Sequence, residues 1–77
     1  PETNIAFSIP VTSNVTLEVF DLLGRKSAIL VSENLSAGNY IKNFNASKLS
    51  SGVYFYKLTA FSERSSFAKT MKLILVK

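Results

Sequence analysis

Apolar and polar residues alternate with a period of two in successive short segments of this chain, and none shows the period of about 3.6 residues that marks a helix. The alternation is cleanest in two segments, whose apolar members are Ile5, Phe7 and Ile9 in the first and Val15, Leu17 and Val19 in the second. Successive side chains of a β-strand point to opposite faces, so each alternating segment predicts a strand with one buried face. The chain is therefore predicted to be all-β.

Turn-forming Gly, Pro, Asn and Ser residues separate six such segments, which are spaced roughly 10 to 12 residues apart. The predicted strands cover residues 3–9, 15–21, 28–31, 40–46, 53–58 and 67–76. The polar stretch 32–39 is predicted to be a connection, with a short seventh strand within 32–35 as the alternative. Only in 40–46 does the alternation leave the buried face open. Six to seven short strands without helices indicate an all-β antiparallel sandwich.

The stretch 49–58 joins a Ser-Ser-Gly turn to a run of β-branched and aromatic residues, and it is predicted to supply the central strand. Lys57 marks the solvent face of this strand, so the opposite face, with Tyr54, Tyr56 and Leu58, is predicted to be buried. In immunoglobulin-like domains, a tyrosine two residues before an inward position of strand F bonds back to the backbone through its hydroxyl, and Tyr54 has this spacing to Tyr56. Any buried strand after a turn can carry such tyrosines, and the sequence leaves both interpretations open.

Two turns are predicted to depend on glycine. Asp21 and Gly24 occupy the first and fourth positions that a type I turn favours, which predicts a hairpin there. Asp21 is predicted to cap the backbone of the turn rather than to act in catalysis or bind calcium, because no second carboxylate lies at ligand spacing. Gly24 and Gly52 are both predicted to adopt positive φ, where a β-carbon would strain the turn.

Basic residues outnumber acidic residues by nine to five, which gives a net charge of +4, but they are dispersed along the predicted strands. Only Lys69, Lys72 and Lys77 approach a stripe. A nucleic-acid surface needs clustered basic residues with exposed aromatic residues between them. We therefore expect these lysines to lie on a solvated face or to protect an edge strand, and we expect no nucleic-acid partner.

The chain contains no histidine and no cysteine, so serine and cysteine triads, transition-metal sites and disulfides lack their usual components. Its five carboxylates lie in or beside different turns or exposed strand faces, and no phosphate-binding Gly-Lys-Ser/Thr sequence is present. We expect no enzymatic activity, no cofactor and no metal. No apolar run approaches the roughly 20 residues that span a bilayer, so the chain is predicted not to cross a membrane.

The length of 77 residues suits one small domain, which would bury only about 60% of the surface that its unfolded chain exposes. The chain starts at Pro1 without an initiator methionine, and its first residues lack the pattern of a secretory signal. We therefore expect residues 1–77 to form a single domain that is a fragment of a longer protein, from its end.

Five sequence blocks carry a resemblance to a known family. In chain order they are Pro1-Glu2-Thr3-Asn4-Ile5-x-Phe7, Val15-x-Leu17-x-Val19-Phe20-Asp21-Leu22-Leu23-Gly24-Arg25-Lys26, Leu35-x-Ala37-Gly38-x-Tyr40, Leu49-x-Ser51-Gly52-Val53-Tyr54-Phe55-Tyr56-Lys57-Leu58 and Lys69-Thr70-x-Lys72-Leu73-Ile74-Leu75. Together they span almost the whole chain, and their order makes the match more specific than any single block. The chain resembles the C-terminal sorting domain, type A, of the type IX secretion system.

This resemblance implies a small immunoglobulin-like sandwich, related to the immunoglobulin-like domain of the flagellar hook-capping protein, at the C-terminus of secreted bacterial proteins. It implies that outer-membrane secretion machinery recognises the domain and exports the attached N-terminal passenger, by way of the periplasm, to the medium or the cell surface. In many members a sortase-like peptidase then removes the domain. Two departures from the family are the nearly missing asparagine-proline lead-in and a longer, less glycine-rich loop at 61–66.

The last strand is predicted to be the exposed part of this signal, because a terminal edge strand offers unpaired backbone groups that a partner can extend by strand addition. The predicted recognition residues are Lys69, Lys72, Leu73, Leu75 and Lys77. Their positive charges are expected to contribute register and steering more than affinity.

The competing hypothesis is an accessory immunoglobulin-like module of an extracellular enzyme, acting as a spacer or as a carbohydrate-binding domain. Carbohydrate binding usually needs a planar row of exposed aromatic residues, and the candidates are Phe20, Phe55, Phe61 and Phe67. The chain has no tryptophan, and we expect most of these phenylalanines to be buried in the core or in an interface.

Overall fold

A computed structural model describes residues 2–76, which form six antiparallel β-strands and no helix. The strands are β1 (Glu2–Ile9), β2 (Ser13–Phe20), β3 (Lys26–Leu35), β4 (Gly38–Asn45), β5 (Gly52–Phe61) and β6 (Ser66–Leu75). The predicted all-β sandwich is confirmed. Within residues 2–76, no helix is long and apolar enough to cross a membrane.

The strands form two sheets that pack around one core. One sheet has two strands in the order β1-β4, and the other has four strands in the order β3-β2-β5-β6. As the turn and the aromatic run at 49–58 predict, β5 is central: it pairs with β2 on one side and with β6 on the other. In consequence, β6 lies at an edge of the larger sheet.

The third strand is longer than the sequence predicts. Residues 32–35 form neither a connection nor a separate seventh strand, because they continue β3. The end of β3 pairs with the start of β2, from Leu35 opposite Ser13 to Val31 opposite Leu17. The register then shifts, so that Glu18 lies opposite Ile29. A bulge of this kind inserts an extra residue and breaks the alternation of side chains, which is why the sequence pattern shows only part of the strand.

The core lies on the predicted faces of β1, β2 and β5. Leu17 and Val19 in β2 are 1% and 0% exposed, and complete burial of such side chains stabilises the fold by about 1.5 to 3 kcal/mol each. On β5, Tyr54 and Leu58 are buried and Tyr56 is partly buried against the core, which confirms the predicted inward face. Phe44 is also buried, and this settles the face of β4 that the sequence leaves open.

The hairpin between β2 and β3 is held by a carboxylate, as predicted. Asp21 Oδ1 accepts hydrogen bonds from the backbone N–H groups of Leu23 and Arg25, both at 2.9 Å, and Oδ2 accepts one from Arg25 Nε at 2.8 Å. The backbone N–H of Gly24 donates to the Asp21 carbonyl at 3.0 Å, and φ of Gly24 is +81°. The backbone N–H of Arg25 is the main cause that holds the pKa of the Asp21 carboxyl below its ordinary value of 3.8.

Candidate functional site

The larger sheet has two edge strands, β3 and β6, and β6 has the more exposed residues of the two. Within the described residues, β6 is bonded to β5 along all ten of its positions and to no other strand. The backbone N–H and C=O groups that point away from β5 therefore have no strand partner. Proteins normally shield a long edge of this kind with charged side chains, proline, a bulge or a covering loop, and of these β6 has the lysines Lys69 and Lys72. The register of β6 against β5 has no bulge, and the strand contains no proline.

Most of β6 is exposed on its faces as well as at its edge. Eight of its ten residues are exposed, Leu73 is partly buried, and Leu75 is buried. Leu73 lies opposite Tyr54 and Leu75 lies opposite Gly52, so the strand is anchored to the core at its C-terminal end. The structure thus places two of the predicted recognition residues, Leu73 and Leu75, where they hold the strand in place.

The predicted lysines of β6 do not form a stripe. Lys69 lies opposite Leu58, on the face of the sheet that points toward the core, whereas Lys72 lies opposite Phe55 on the outer face. Neither takes part in an ion pair with another residue of the range 2–76, where the ion pairs join Asp21 to Arg25 and Glu18 to Lys26. Lys77 lies outside the described residues.

The outer face of the four-stranded sheet carries an apolar cluster that the sequence analysis does not identify. Phe20 lies opposite Phe55, which in turn lies opposite Lys72, and Val53 lies opposite Ile74. These apolar side chains belong to three different strands, so their proximity depends on the register of the sheet. The signal available in the sequence is that both faces of β5 carry apolar residues.

The four phenylalanines considered for carbohydrate binding do not make a planar row. Phe20, Phe55 and Phe61 share the outer face, but Phe67 lies opposite Ala60 on the inner face. Phe55 and Phe61 are six residues apart on one strand, which corresponds to about 20 Å. None of the four is buried in the core of the domain: Phe20 and Phe55 are partly buried, and Phe61 and Phe67 are exposed, so their burial in an interface stays a prediction.

Tyr54 makes the hydrogen bond that its spacing predicts. Its hydroxyl donates to the backbone carbonyl of Ser50 at 2.8 Å and so ties the start of β5 to the turn before it. Gly52, between the two, has φ of +155°, which confirms the predicted positive value. This bond is the one that the immunoglobulin-like interpretation of Tyr54 predicts.

A second tyrosine makes the same bond at the start of β4. Tyr40 donates from its hydroxyl to the carbonyl of Ser36 at 2.6 Å, and Gly38 between them has φ of +153°. The ring of Tyr40 also stacks on Phe7 in β1, with centroids 5.5 Å apart. The sequence carries a signal for this pair, since Leu-Ser-x-Gly-x-Tyr occurs at both 35–40 and 49–54.

Catalytic and metal-binding side chains are not gathered in the described part of the chain. No group of three or more His, Cys, Asp or Glu residues there is arranged to hold a metal ion. The candidate functional features of residues 2–76 are thus a backbone edge, an apolar outer face and the two lysines of β6.

Comparison with known proteins gives one match. The family model of the secretion system C-terminal sorting domain matches residues 1–76, whereas no curated protein and no solved structure matches the chain at a significant level. Domains of this family are non-catalytic signals that the type IX secretion machinery recognises in order to export a linked passenger protein across the outer membrane, to the cell surface or the medium. The match confirms the resemblance carried by the five sequence blocks. The chain belongs to the C-terminal sorting domains of the type IX secretion system.

Proposed function

We propose that β6 is the part of this sorting domain that the secretion machinery recognises, and that recognition occurs by addition of a machinery strand to the free edge of β6. The observation that carries the proposal is the ten-residue edge itself, bonded on one side only and with eight exposed residues. A strand that pairs with this edge satisfies its backbone N–H and C=O groups and extends the four-stranded sheet to five.

The lysines of β6 give this edge its charge. Lys69 and Lys72 point to opposite faces and have no acidic partner among residues 2–76, so a partner strand with acidic residues would be attracted from either face. Such charges increase the association rate and set the register more than they increase affinity. Lys77, predicted from sequence, belongs to the same proposal.

The attachment point of the passenger and the C-terminal end of β6 would lie at the same end of the domain. Glu2 and Thr3 at the start of β1 line a shallow cavity of about 250 Å³ together with residues 74–76, at and just beyond the end of β6. A passenger linked ahead of Glu2 would therefore lie close to the end of the recognised strand. In this proposal residues 1–77 act as one domain, the passenger reaches the outer membrane through the periplasm, and a sortase-like peptidase cuts between passenger and domain.

Two neighbouring proline substitutions test edge recognition. Residues 1–77 are fused behind a signal peptide and a fluorescent reporter in a bacterium that has this secretion system, and the exported fraction is measured. Successive residues of an edge strand point their N–H groups alternately to the paired and the free side, so of Thr70→Pro and Met71→Pro one removes a bond to β5 and the other removes a free donor.

The variant that removes the free donor is expected to keep its melting temperature and lose export, and the other to melt at a lower temperature. Melting curves of the two purified variants show which substitution removes a hydrogen bond to β5 and which removes a free donor. Unchanged export by the variant that keeps its melting temperature would overturn recognition at the edge, and equal export of reporter with and without residues 1–77 would overturn the signal itself.

A further inference from the structure

The two sheets of the sandwich differ in width, and this leaves part of the core side uncovered. The sheet with β1 and β4 faces a sheet twice as wide. On the side of β6, the space beyond β1 is a groove of about 390 Å³. Its floor includes Leu17 and Leu58, and its β6 wall includes Phe67 and Met71, which are 37% and 43% exposed. The side chains of Phe67 and Met71, which a third strand of the smaller sheet would cover, are thus open to solvent.

The backbone edge of β1 forms the opposite wall of this groove. Alternate residues Ile5 and Phe7 point toward the core, yet the groove is also lined by Ala6 and Ser8, which face outward. A groove touches both sets of residues only where it runs along the edge of the strand. That edge is unpaired within the described residues, because β1 pairs with β4 alone. The small side chains of Ala6 and Ser8 leave its backbone groups accessible.

The groove carries one charged side chain, Lys69, which lies on the inner face of β6 opposite Leu58. It has no acidic partner among residues 2–76. A strand placed beside β1 would bring its inward side chains over Phe67, Lys69 and Met71. The lining therefore suits an apolar residue, an acidic residue and a second apolar residue at alternate positions of that strand.

We propose that this groove binds a donor strand from another protein, which pairs with the free edge of β1 and places an acidic side chain against Lys69. The donor completes the smaller sheet as its third strand, in the way that donor-strand complementation completes other sandwiches. This site is distinct from the free edge of β6, to which the proposed function assigns recognition by the secretion machinery. The inference rests on the proposed function in one respect, namely that the donor belongs to the secretion machinery.

The test uses a synthetic donor strand and charge exchange. The probe is the seven-residue peptide Thr-Val-Thr-Asp-Thr-Val-Thr, which is acetylated, amidated and fluorescently labelled, and its binding to residues 1–77 is measured by anisotropy. Lys69→Glu is expected to weaken binding about fivefold, as the loss of one charge pair does, and a peptide with Lys in place of Asp is expected to restore it. Lys48→Glu, in the exposed turn between β4 and β5 and outside the groove, is the control of equal charge change and is expected to leave binding unchanged.

The site is located by amide chemical shifts, which are expected to change at Ala6, Ser8 and Met71. No saturable binding up to millimolar peptide would overturn the proposal, and so would equal weakening by Lys69→Glu and Lys48→Glu. If the domain instead forms dimers that Lys69→Glu dissociates, the occupant is a second copy and the donor proposal is wrong.

The export assay separates this inference from the proposed function. Export lost in Lys69→Glu but kept in Lys72→Glu, both at an unchanged melting temperature, supports the groove as a machinery contact, because Lys69 lines the groove and Lys72 does not. Export kept in Lys69→Glu but lost in the proline variant at the free edge of β6 would overturn the groove's role in export while leaving edge recognition standing.

Discussion

The hydroxyl of Tyr54 bonds to the carbonyl of Ser50, four residues upstream, whereas the hydroxyl of Tyr56 makes no hydrogen bond within the described chain. Both tyrosines lie on the inward face of β5, so their hydroxyl groups offer a matched pair. Tyr54→Phe removes a bond in a partly buried place, and we expect it to lower the free energy of unfolding by about 0.5 to 1.5 kcal/mol. Tyr56→Phe is expected to change it by less than half as much. Urea denaturation of the two variants measures the difference, and equal losses would contradict a structural role for the Ser50 bond.

The largest fully buried side chain, Leu17 in β2, should contribute strongly to stability. Leu17→Ala is expected to cost about 2 to 5 kcal/mol, since the residue is 1% exposed and its removal leaves a cavity between the two sheets. Ile41→Ala, on the outward face of β4 at 73% exposure, is the control and is expected to stay within about 0.5 kcal/mol. Chemical denaturation distinguishes them; similar values would mean that the core is placed wrongly.

The hairpin glycine can be tested for backbone strain alone. A β-carbon added at Gly24 would meet no atom within 4 Å, so only its φ of +81° opposes substitution. Asparagine adopts positive φ more readily than alanine, and β-branched residues adopt it least. We therefore expect melting temperatures to fall in the order Gly24, Gly24→Asn, Gly24→Ala, Gly24→Val. A valine variant as stable as the wild type would rule out strain at this position.

Acid should weaken the same hairpin in a defined direction. The hydrogen bonds donated by Arg25 and Leu23 lower the pKa of Asp21 in the folded state below the ordinary 3.8, so between the two values the unfolded state binds more protons. The stabilisation by the Asp21 charge is complete above the unfolded pKa and is lost as pH falls through the folded pKa. Asp21→Asn should therefore be less stable than wild type at neutral pH, and the gap should narrow below about pH 4. A gap that widens in acid would contradict this assignment.

The fold was predictable wherever one alternating face meets the core without interruption, as in β1 and β2. The prediction failed in β3, where a bulge shifts the register and the polar residues 32–34 lie at an exposed edge. Local patterning carries no information about such a shift, because it depends on pairing with β2. The candidate site was likewise predictable only in part. The exposure of β6 could be expected from the sequence, since β6 is predicted to be an edge strand. The opposite directions of Lys69 and Lys72 and the clustering of Phe20 with Phe55 depend on the register with β5, which local patterning does not show.

The common cavity of Glu2, Thr3 and the end of β6 also determines how this domain responds to mechanical force. A pull between the passenger and the tail would act on two strand ends that lie side by side and belong to different sheets. Such a load opens the sandwich from one end and breaks cross-strand pairs one after another, instead of shearing a whole strand at once. The domain would therefore unfold under a smaller force applied at these two ends than a load that sheared whole strands would need.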